Sequence, residues 1–182
     1  MKTNTHRLTA ALLGCGLTLS LTACGGGREY SLPEAACGVP LDAEKIDPFL
    51  VDGKTFEVAG DPLNEPTAKK YWKCTLSVDD TLVVAFQVDA VDRLHDPMAA
   101  SEEFRFANRA KMERLPFSGL GALGDRTAVI STECAGTQAA YLFTEVSLST
   151  KTGGDTAERR KAIEAFAVDL VPKVQKALGC TA

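Results

Sequence analysis

Histidine is scarce in this sequence of 182 residues, which contains only His6 and His95, a single tryptophan and 7% aromatic residues. No run of lysine and arginine stands out either, so the sequence does not indicate the basic surface that a nucleic-acid-binding protein needs. No two cysteines form a C-x-x-C pair and histidine is scarce, so the usual spacing of zinc ligands is missing. We therefore expect no metal, no cofactor and no nucleic-acid partner.

Patterns typical of catalytic sites are also missing. No serine lies in G-x-S-x-G, so a hydrolase would have to use His95 with a nearby carboxylate. We place His95 in a polar loop before a helix cap at Asp96-Pro97. The acidic pairs Asp79-Asp80 and Glu102-Glu103 are interpreted as a turn and a solvated surface, because adjacent side chains diverge. We expect that the protein is not an enzyme.

A glycine-rich stretch from Gly119 to Gly124 matches the dinucleotide-binding pattern G-x-G-x-x-G. In such a site the glycines join a strand to a helix, whose N-terminus receives the pyrophosphate. Here residues 127–130 are Thr-Ala-Val-Ile, which is typical of a strand and not of a helix start. We interpret the glycines as a turn that leads into a hairpin.

The N-terminus has the pattern of a secretory signal peptide, because Lys2 and Arg7 precede an uncharged, mostly apolar run over residues 8–23. The run is shorter than the roughly 20 apolar residues that span a bilayer. It ends in Leu21-Thr22-Ala23-Cys24, which resembles a bacterial lipobox. That resemblance implies cleavage after Ala23 and a lipid on Cys24; the alternative is a secreted protein without an acyl group.

Lipidation at Cys24 would place the protein outside the cytoplasm, on the outer face of the cell membrane. Two or three acyl chains hold a protein stably, at about 0.8 kcal/mol for each buried methylene. Without the signal peptide, residues 1–23, the chain keeps 18 basic and 24 acidic residues, a net charge near −6. Since anionic lipid repels such a chain, we expect the lipid and not a basic patch to hold it.

The remaining 159 residues suit one domain with a hydrophobic core. We assign residues 24–36, which include Gly25-Gly26-Gly27, to the acylated cysteine and a flexible tether. Residues 37–182 are assigned to a single α+β domain. Four cysteines lie in this domain, and an even number in an oxidising compartment predicts two disulfide bonds. Three pairings are possible, and we choose the one that ties each terminal segment to the sheet, Cys37–Cys74 with Cys134–Cys180.

Alternating apolar residues predict two antiparallel hairpins and a short strand at 55–58. The first hairpin has strands at 72–78 and 81–91, and the second has strands at 126–132 and 139–150. In the strand at 81–91 one face is expected to carry Leu82, Val84, Phe86, Val88 and Ala90.

Three helices are expected beside the hairpins. Asp42 would cap a short helix that ends near Ile46, and Asp96 would cap one that runs to about Met112. Residues 104–106 of the second helix could equally form a strand. The last helix begins at a capping box of Asp155 with Glu158 and ends before Gly179. We therefore predict an α+β fold in which an antiparallel sheet of two hairpins has flanking helices, with the C-terminal amphipathic helix packed on the sheet.

The chain resembles small cell-envelope lipoproteins of actinobacteria that belong to families of unknown function. The resemblance lies in the lipobox at residues 21–24, the segment Cys37-Gly38-Val39-Pro40-Leu41, the pair in Trp72-Lys73-Cys74, the glycine turn at residues 119–125 and the last helix. Some related lipoproteins have a fold similar to the Mog1/PsbP type, and the families imply no catalytic residues. The resemblance therefore favours a lipid-anchored domain that binds an unknown envelope protein or ligand. The alternatives are a small envelope hydrolase that uses His95 and a carrier that holds a lipid between sheet and helix.

Overall fold

The computed structural model describes residues 27–65, 68–135 and 139–181, which fold as a mixed α+β domain. In chain order the elements are β1 Ala35–Ala36, β2 Val39–Pro40, α1 Ala43–Ile46, β3 Phe56–Gly60, β4 Tyr71–Val78, β5 Thr81–Val91, β6 Ala110–Lys111, β7 Leu120–Leu123, β8 Thr127–Glu133, β9 Tyr141–Leu148 and α2 Thr156–Ala177, with 3₁₀ turns at Asp47–Phe49 and Ala100–Arg105.

Of the strands in this part of the chain, seven form one antiparallel sheet in the order β3-β4-β5-β9-β8-β7-β6. The two expected hairpins, β4–β5 and β8–β9, are its centre and are joined where β5 pairs with β9. The prediction of two hairpins is incomplete: β3, which matches the strand expected at 55–58, extends one edge, and β7 and β6, which were not expected, extend the other. Strands β1 and β2 form a separate small sheet.

A bulge changes the faces of β5 near its start. Cross-strand pairing shifts between Leu76 and Ser77, so that Leu76 lies opposite Val84 and Ser77 lies opposite Leu82. An extra residue in one strand reverses the alternation of side chains beyond it. The prediction that Leu82 shares the buried face is therefore wrong: Leu82 is 40% exposed, and Val83 is fully buried in its place.

The C-terminal helix α2 packs on one face of the sheet, as its apolar spacing predicts. The Asp155 side chain accepts hydrogen bonds from the backbone of Ala157 and Glu158, which confirms the predicted cap. Phe166 meets Phe49 edge to face, with ring centroids 5.8 Å apart, so α2 also packs on the short N-terminal turns. The helix presents six buried side chains to the core: Ile163, Phe166, Ala167, Leu170, Val171 and Val174.

The two other predicted helices have different outcomes. The short helix α1 begins after Asp42, whose side chain accepts from the Glu44 amide at 2.9 Å, as predicted. The helix expected from Asp96 to Met112 is wrong, because only a 3₁₀ turn forms at Ala100–Arg105. Asp96 does accept from the Met98 amide at 2.8 Å, but the segment lacks the apolar periodicity that would hold a longer helix on a core.

Disulfide bonds join Cys37 to Cys74 and Cys134 to Cys180, and this is the pairing that we chose. The first bond attaches the β1–β2 turn to β4, and the second attaches the end of the chain to the residue that follows β8. Both bonds therefore fasten a terminal segment to the large sheet.

The described chain lies against the domain from its first residues. Arg28 donates a hydrogen bond to the Leu50 carbonyl at 3.0 Å, and the Tyr30 hydroxyl donates to the Val51 carbonyl at 2.7 Å. Residues 27–36, which we assigned to a flexible tether, are thus packed on the fold. Cys24 and the signal peptide lie outside the described residues.

Candidate functional site

The second face of the sheet, opposite α2, carries a polar site that begins on strands β5 and β9. Cross-strand pairing places Asp89 opposite Phe143 and Gln87 opposite Glu145. Paired side chains project to the same face, and these four alternate with the buried residues that face α2. Charged and aromatic side chains therefore lie side by side on this face.

A loop of residues 92–109, here called the covering segment, crosses part of the second face. Pro97 in this loop is buried, and Arg109 Nη1 donates to the Ala99 carbonyl at 2.7 Å and to the Pro97 carbonyl at 3.3 Å. These contacts hold the loop in a fixed path although it contains only one 3₁₀ turn. The path brings the end of that turn, Arg105, above β9.

Arg105 joins the covering segment to the sheet. Its Nε lies 2.7 Å from Glu102 Oε2, and its Nη1 lies 2.6 Å from Glu145 Oε2. The guanidinium also lies over two rings, 4.9 Å from the centre of Phe104 and 5.3 Å from that of Phe143. Such charge-assisted bonds are stronger than neutral ones, and stacking on aromatic rings strengthens the attachment further. We call Asp89, His95, Glu102, Arg105, Phe143 and Glu145 the Arg105 cluster.

Burial and charge act in opposite directions in this cluster. Burial works to lower the pKa of Arg105, but the hydrogen bond to Glu102 and the charge of Glu145 outweigh it and raise this pKa. Burial raises the pKa of the Asp89 carboxyl, while the charges of Arg105 and His95 oppose that rise. The cluster therefore contains a permanently charged guanidinium and a partly desolvated carboxyl group.

His95 lies in the loop before Asp96, as predicted, and its ring meets Phe143 edge to face at 6.0 Å. The side chain is exposed. Within the described residues no hydrogen bond joins His95 to a carboxylate or to a serine hydroxyl. The structure brings His95 near Asp89 without forming the bonded base and orienting group of a catalytic triad.

The glycine-rich sequence is part of the sheet. Residues 120–123 form strand β7, in which Gly121 lies opposite Ile130 of β8. The prediction that these glycines form only a turn is wrong, but the next element is a strand, as expected. A pyrophosphate site needs a helix N-terminus after the glycines, and β8 occupies that position.

The interpretation of the acidic pairs holds for Asp79, Asp80 and Glu103, but the solvated surface expected at Glu102 is wrong, because its side chain is only 14% exposed. Asp79 and Asp80 form the β4–β5 turn with positive φ angles, and Asp79 accepts from the Thr55 amide at 2.8 Å. Glu103 is exposed, whereas Glu102 is partly buried and turns toward Arg105. The ion pair of Glu102 is not evident from the sequence, because the fold of the loop decides which residue Glu102 meets.

In the described ranges no three side chains of His, Cys, Asp or Glu come together to hold a metal ion. Among these residues no helix is both long enough and apolar enough to cross a membrane.

Comparison with known proteins found no match among protein-family models, curated protein sequences or solved structures.

Of the residues in the Arg105 cluster, the sequence pointed only to His95 and Glu102 as candidates. One signal for them exists in the sequence: Asp89 and Glu145 interrupt strands that are otherwise apolar or small, which places a charge beside a core. Their meeting with Arg105 has no local signal, because Arg105 belongs to a loop.

Proposed function

We propose that this protein is a lipid-anchored, extracytoplasmic binding domain without catalytic activity, and that its partner contacts the rim of the Arg105 cluster. The proposal rests on three exposed apolar side chains next to the cluster, which we call its rim: Tyr71, Leu94 and Phe104. Phe104 is 78% exposed, and Tyr71 and Leu94 are 45% and 44% exposed. Exposed apolar groups around a polar centre are typical of protein interaction surfaces.

The three exposed side chains are tied to the cluster by their neighbours. Phe104 precedes Arg105 and lies against its guanidinium, and Leu94 precedes His95. Tyr71 of β4 lies opposite Asp89 of β5, and the Tyr71 hydroxyl is 3.4 Å from Gln87 Oε1. Each of the three rim residues therefore adjoins a residue of the cluster.

The disulfide bonds support an extracytoplasmic location. Such bonds persist in oxidising compartments and are rare in the cytosol. Cys24 would hold the domain on the outer face of the membrane through its lipid, with cleavage of residues 1–23 as in bacterial lipoproteins. Only residues 24–26 separate that lipid from Gly27, a reach of about 10 Å in extended chain. The domain would thus lie against the membrane and present its partner site beside it.

A hydrolase is the second candidate, because Asp89 and His95 both belong to the Arg105 cluster and burial raises the pKa of Asp89. A carboxyl group with a raised pKa beside a histidine is a feature of acid–base sites. The test is His95→Ala. Loss of an activity on envelope substrates at unchanged melting temperature would favour the hydrolase and contradict the binding proposal.

A lipid carrier finds less support. Acyl binding between α2 and the sheet needs open volume there, and Phe166, Leu170 and Val174 of the helix are buried in the hydrophobic core instead. Phe166 in particular is packed against Phe49.

Cross-linking in intact cells tests the binding proposal. A photoreactive residue is placed at Phe104, and a matched one at Leu82, which is exposed outside the rim. We expect a specific polypeptide adduct at position 104 and none at position 82. Equal adducts at both positions, or none at either, would contradict the proposed surface.

The anchor needs a separate experiment, the Cys24→Ser variant. We expect that it loses the acyl mass and leaves the membrane fraction, while the disulfide-bonded domain stays folded. Retention in the membrane fraction without an acyl group would contradict a lipid anchor at Cys24.

A further inference from the structure

We infer that the rim of the Arg105 cluster takes a cationic side chain, a lysine or arginine of a polypeptide partner, with Asp89 as the acceptor. This inference rests on the proposed function and adds the chemistry of the partner. It depends on the surroundings of Asp89, on the charges near it and on the apolar rim.

Asp89 lies between two aromatic residues on the second face. The pairing of β4, β5 and β9 forms the row Tyr71, Asp89 and Phe143, in which each side chain is next to the following one. Directly opposite side chains have Cβ atoms about 4.5–5.5 Å apart. Phe143 is 5% exposed and already lies beneath the Arg105 guanidinium, so the exposed Tyr71 ring is the one that can add a cation–π contact to an ion pair at Asp89.

Asp89 is the carboxylate of the cluster that has no side-chain partner. Glu102 and Glu145 both bind Arg105, whereas Asp89 makes no side-chain hydrogen bond within the described residues. It is nevertheless partly buried, and burial raises its pKa. A partly desolvated carboxylate that accepts no side-chain hydrogen bond gains more from an incoming cation than a fully hydrated one does.

The charge of the surrounding face favours a cation. The cluster holds three carboxyl groups, the Arg105 guanidinium and His95; Lys73 lies in the next row, opposite Gln87, and Arg93 is exposed beside Leu94. Glu57 on β3 and Glu133 on β8 add further acidic groups to this face. The chain after residue 23 carries a net charge near −6. Complementary charge steers association and selects the partner.

The apolar rim indicates a polypeptide and not a free ion or a lipid surface. Phe104 and Leu94 would contact apolar side chains of the partner next to the bound cation. Protein interfaces commonly combine a central anchoring side chain with apolar contacts around it. Anionic lipid would be repelled by the acidic face. A basic segment of another envelope protein fits both the charge and the apolar contacts.

The test uses two synthetic peptides of twelve residues that alternate leucine with lysine or leucine with glutamate, capped at both ends. The probed protein is the disulfide-bonded chain after residue 23, with Cys24→Ser to remove the lipid. Binding is measured by NMR titration at low and at physiological salt. We expect the lysine peptide to shift the amide signals of Tyr71, Asp89 and Leu94, and the glutamate peptide to leave them unchanged.

Two variants that each remove one negative charge distinguish binding at Asp89 from a general effect of the net charge. Asp89→Asn should lower the affinity for the lysine peptide about tenfold, because it removes the charged acceptor and keeps the shape of the side chain. Glu57→Gln, on the same face but outside the cluster, should leave the affinity within about twofold. Equal weakening by both variants, or none by Asp89→Asn, would overturn the inference.

The cross-linking experiment distinguishes this inference from the proposed function. A polypeptide adduct at position 104 that persists at full yield in Asp89→Asn would leave the binding domain standing and overturn the cationic partner. Loss of that adduct in Asp89→Asn, with an unchanged melting temperature, supports both.

Discussion

Arg105 Nη1 lies 2.6 Å from Glu145 Oε2 and joins a loop residue to a strand residue 40 positions later in the chain. Through this contact the covering segment is fixed to β9, with Phe143 beneath the guanidinium. The rim residues Leu94 and Phe104 belong to the same loop. The proposed binding surface is therefore held in place by this ion pair to the sheet, together with the hydrogen bonds that Arg109 donates within the loop.

Replacing Arg105 should loosen the covering segment. The side chains of Arg105, Glu102 and Glu145 are mostly buried, with exposures of 25%, 14% and 16%, so Arg105→Ala leaves two carboxylates without their partner. We expect the free energy of unfolding to fall by about 1–3 kcal/mol, between the values of surface and buried pairs. Urea denaturation followed by the fluorescence of the buried Trp72 measures this change.

The matched control is Arg93→Ala, because Arg93 is exposed in the same segment. Arg93→Ala should change the free energy of unfolding by no more than about 0.5 kcal/mol. Equal effects of the two substitutions would contradict a special role of Arg105.

The Asp89→Asn variant should be more stable than the natural chain at neutral pH. Because burial raises the pKa of Asp89 above 3.8, the folded protein binds this proton more tightly than the unfolded chain does. The contribution of Asp89 to the free energy of unfolding therefore falls as the pH rises through 3.8 and above. Melting temperatures at pH 3 and pH 7 should show a gain for Asp89→Asn at pH 7 only; a loss at pH 7 would contradict this.

Asp79 should show the opposite pH dependence. Backbone hydrogen bonds from Thr55 and then Lys54 lower the pKa of Asp79 below 3.8. A lowered pKa in the folded state contributes stability that is present above 3.8 and is lost as the pH falls through the folded pKa. Asp79→Asn should therefore lower the melting temperature at pH 7 and have little effect near pH 2. The same loss at both pH values would show that charge is not the cause.

The two disulfide bonds should each contribute about 4 kcal/mol by chain entropy, since they close loops with sequence separations of 37 and 46. Replacing both cysteines of either pair by serine should lower the free energy of unfolding by about this amount in denaturant titrations. Mass spectrometry after alkylation in denaturant without reductant should find no modified thiol among Cys37, Cys74, Cys134 and Cys180. Four alkylations would contradict both bonds.

Truncation of Phe166 should be the most damaging change in α2. The side chain is 1% exposed and meets Phe49 edge to face, so Phe166→Ala leaves a cavity between helix, turn and sheet. We expect Phe166→Ala to lower the free energy of unfolding by about 3–5 kcal/mol. Phe166→Leu keeps most of the volume and should cost much less. Similar losses for both variants would contradict cavity formation as the cause.

Local signals predicted the parts of the fold that depend on neighbouring residues. Asp42 and Asp155 cap the helices that follow them, and the turn at Asp79-Asp80 joins the strands that its flanking sequence predicts. The helix expected after Asp96 failed, because a good cap cannot replace an apolar face that packs on a core. The candidate site was only partly predicted from the sequence, as a polar loop at His95 and an acidic pair at Glu102-Glu103.

The sequence by itself determined the helix caps, both central hairpins, the even set of cysteines and the polar alternation that marks the second face. Each of these follows from residues within a few positions of one another, where backbone preference and side-chain period decide the structure. Only the tertiary structure decided the order of the seven strands, the bulge that exposes Leu82, and the meeting of Arg105 with Glu145. Those features arise where distant segments compete for the same surface, and the packing of the whole domain selects among them.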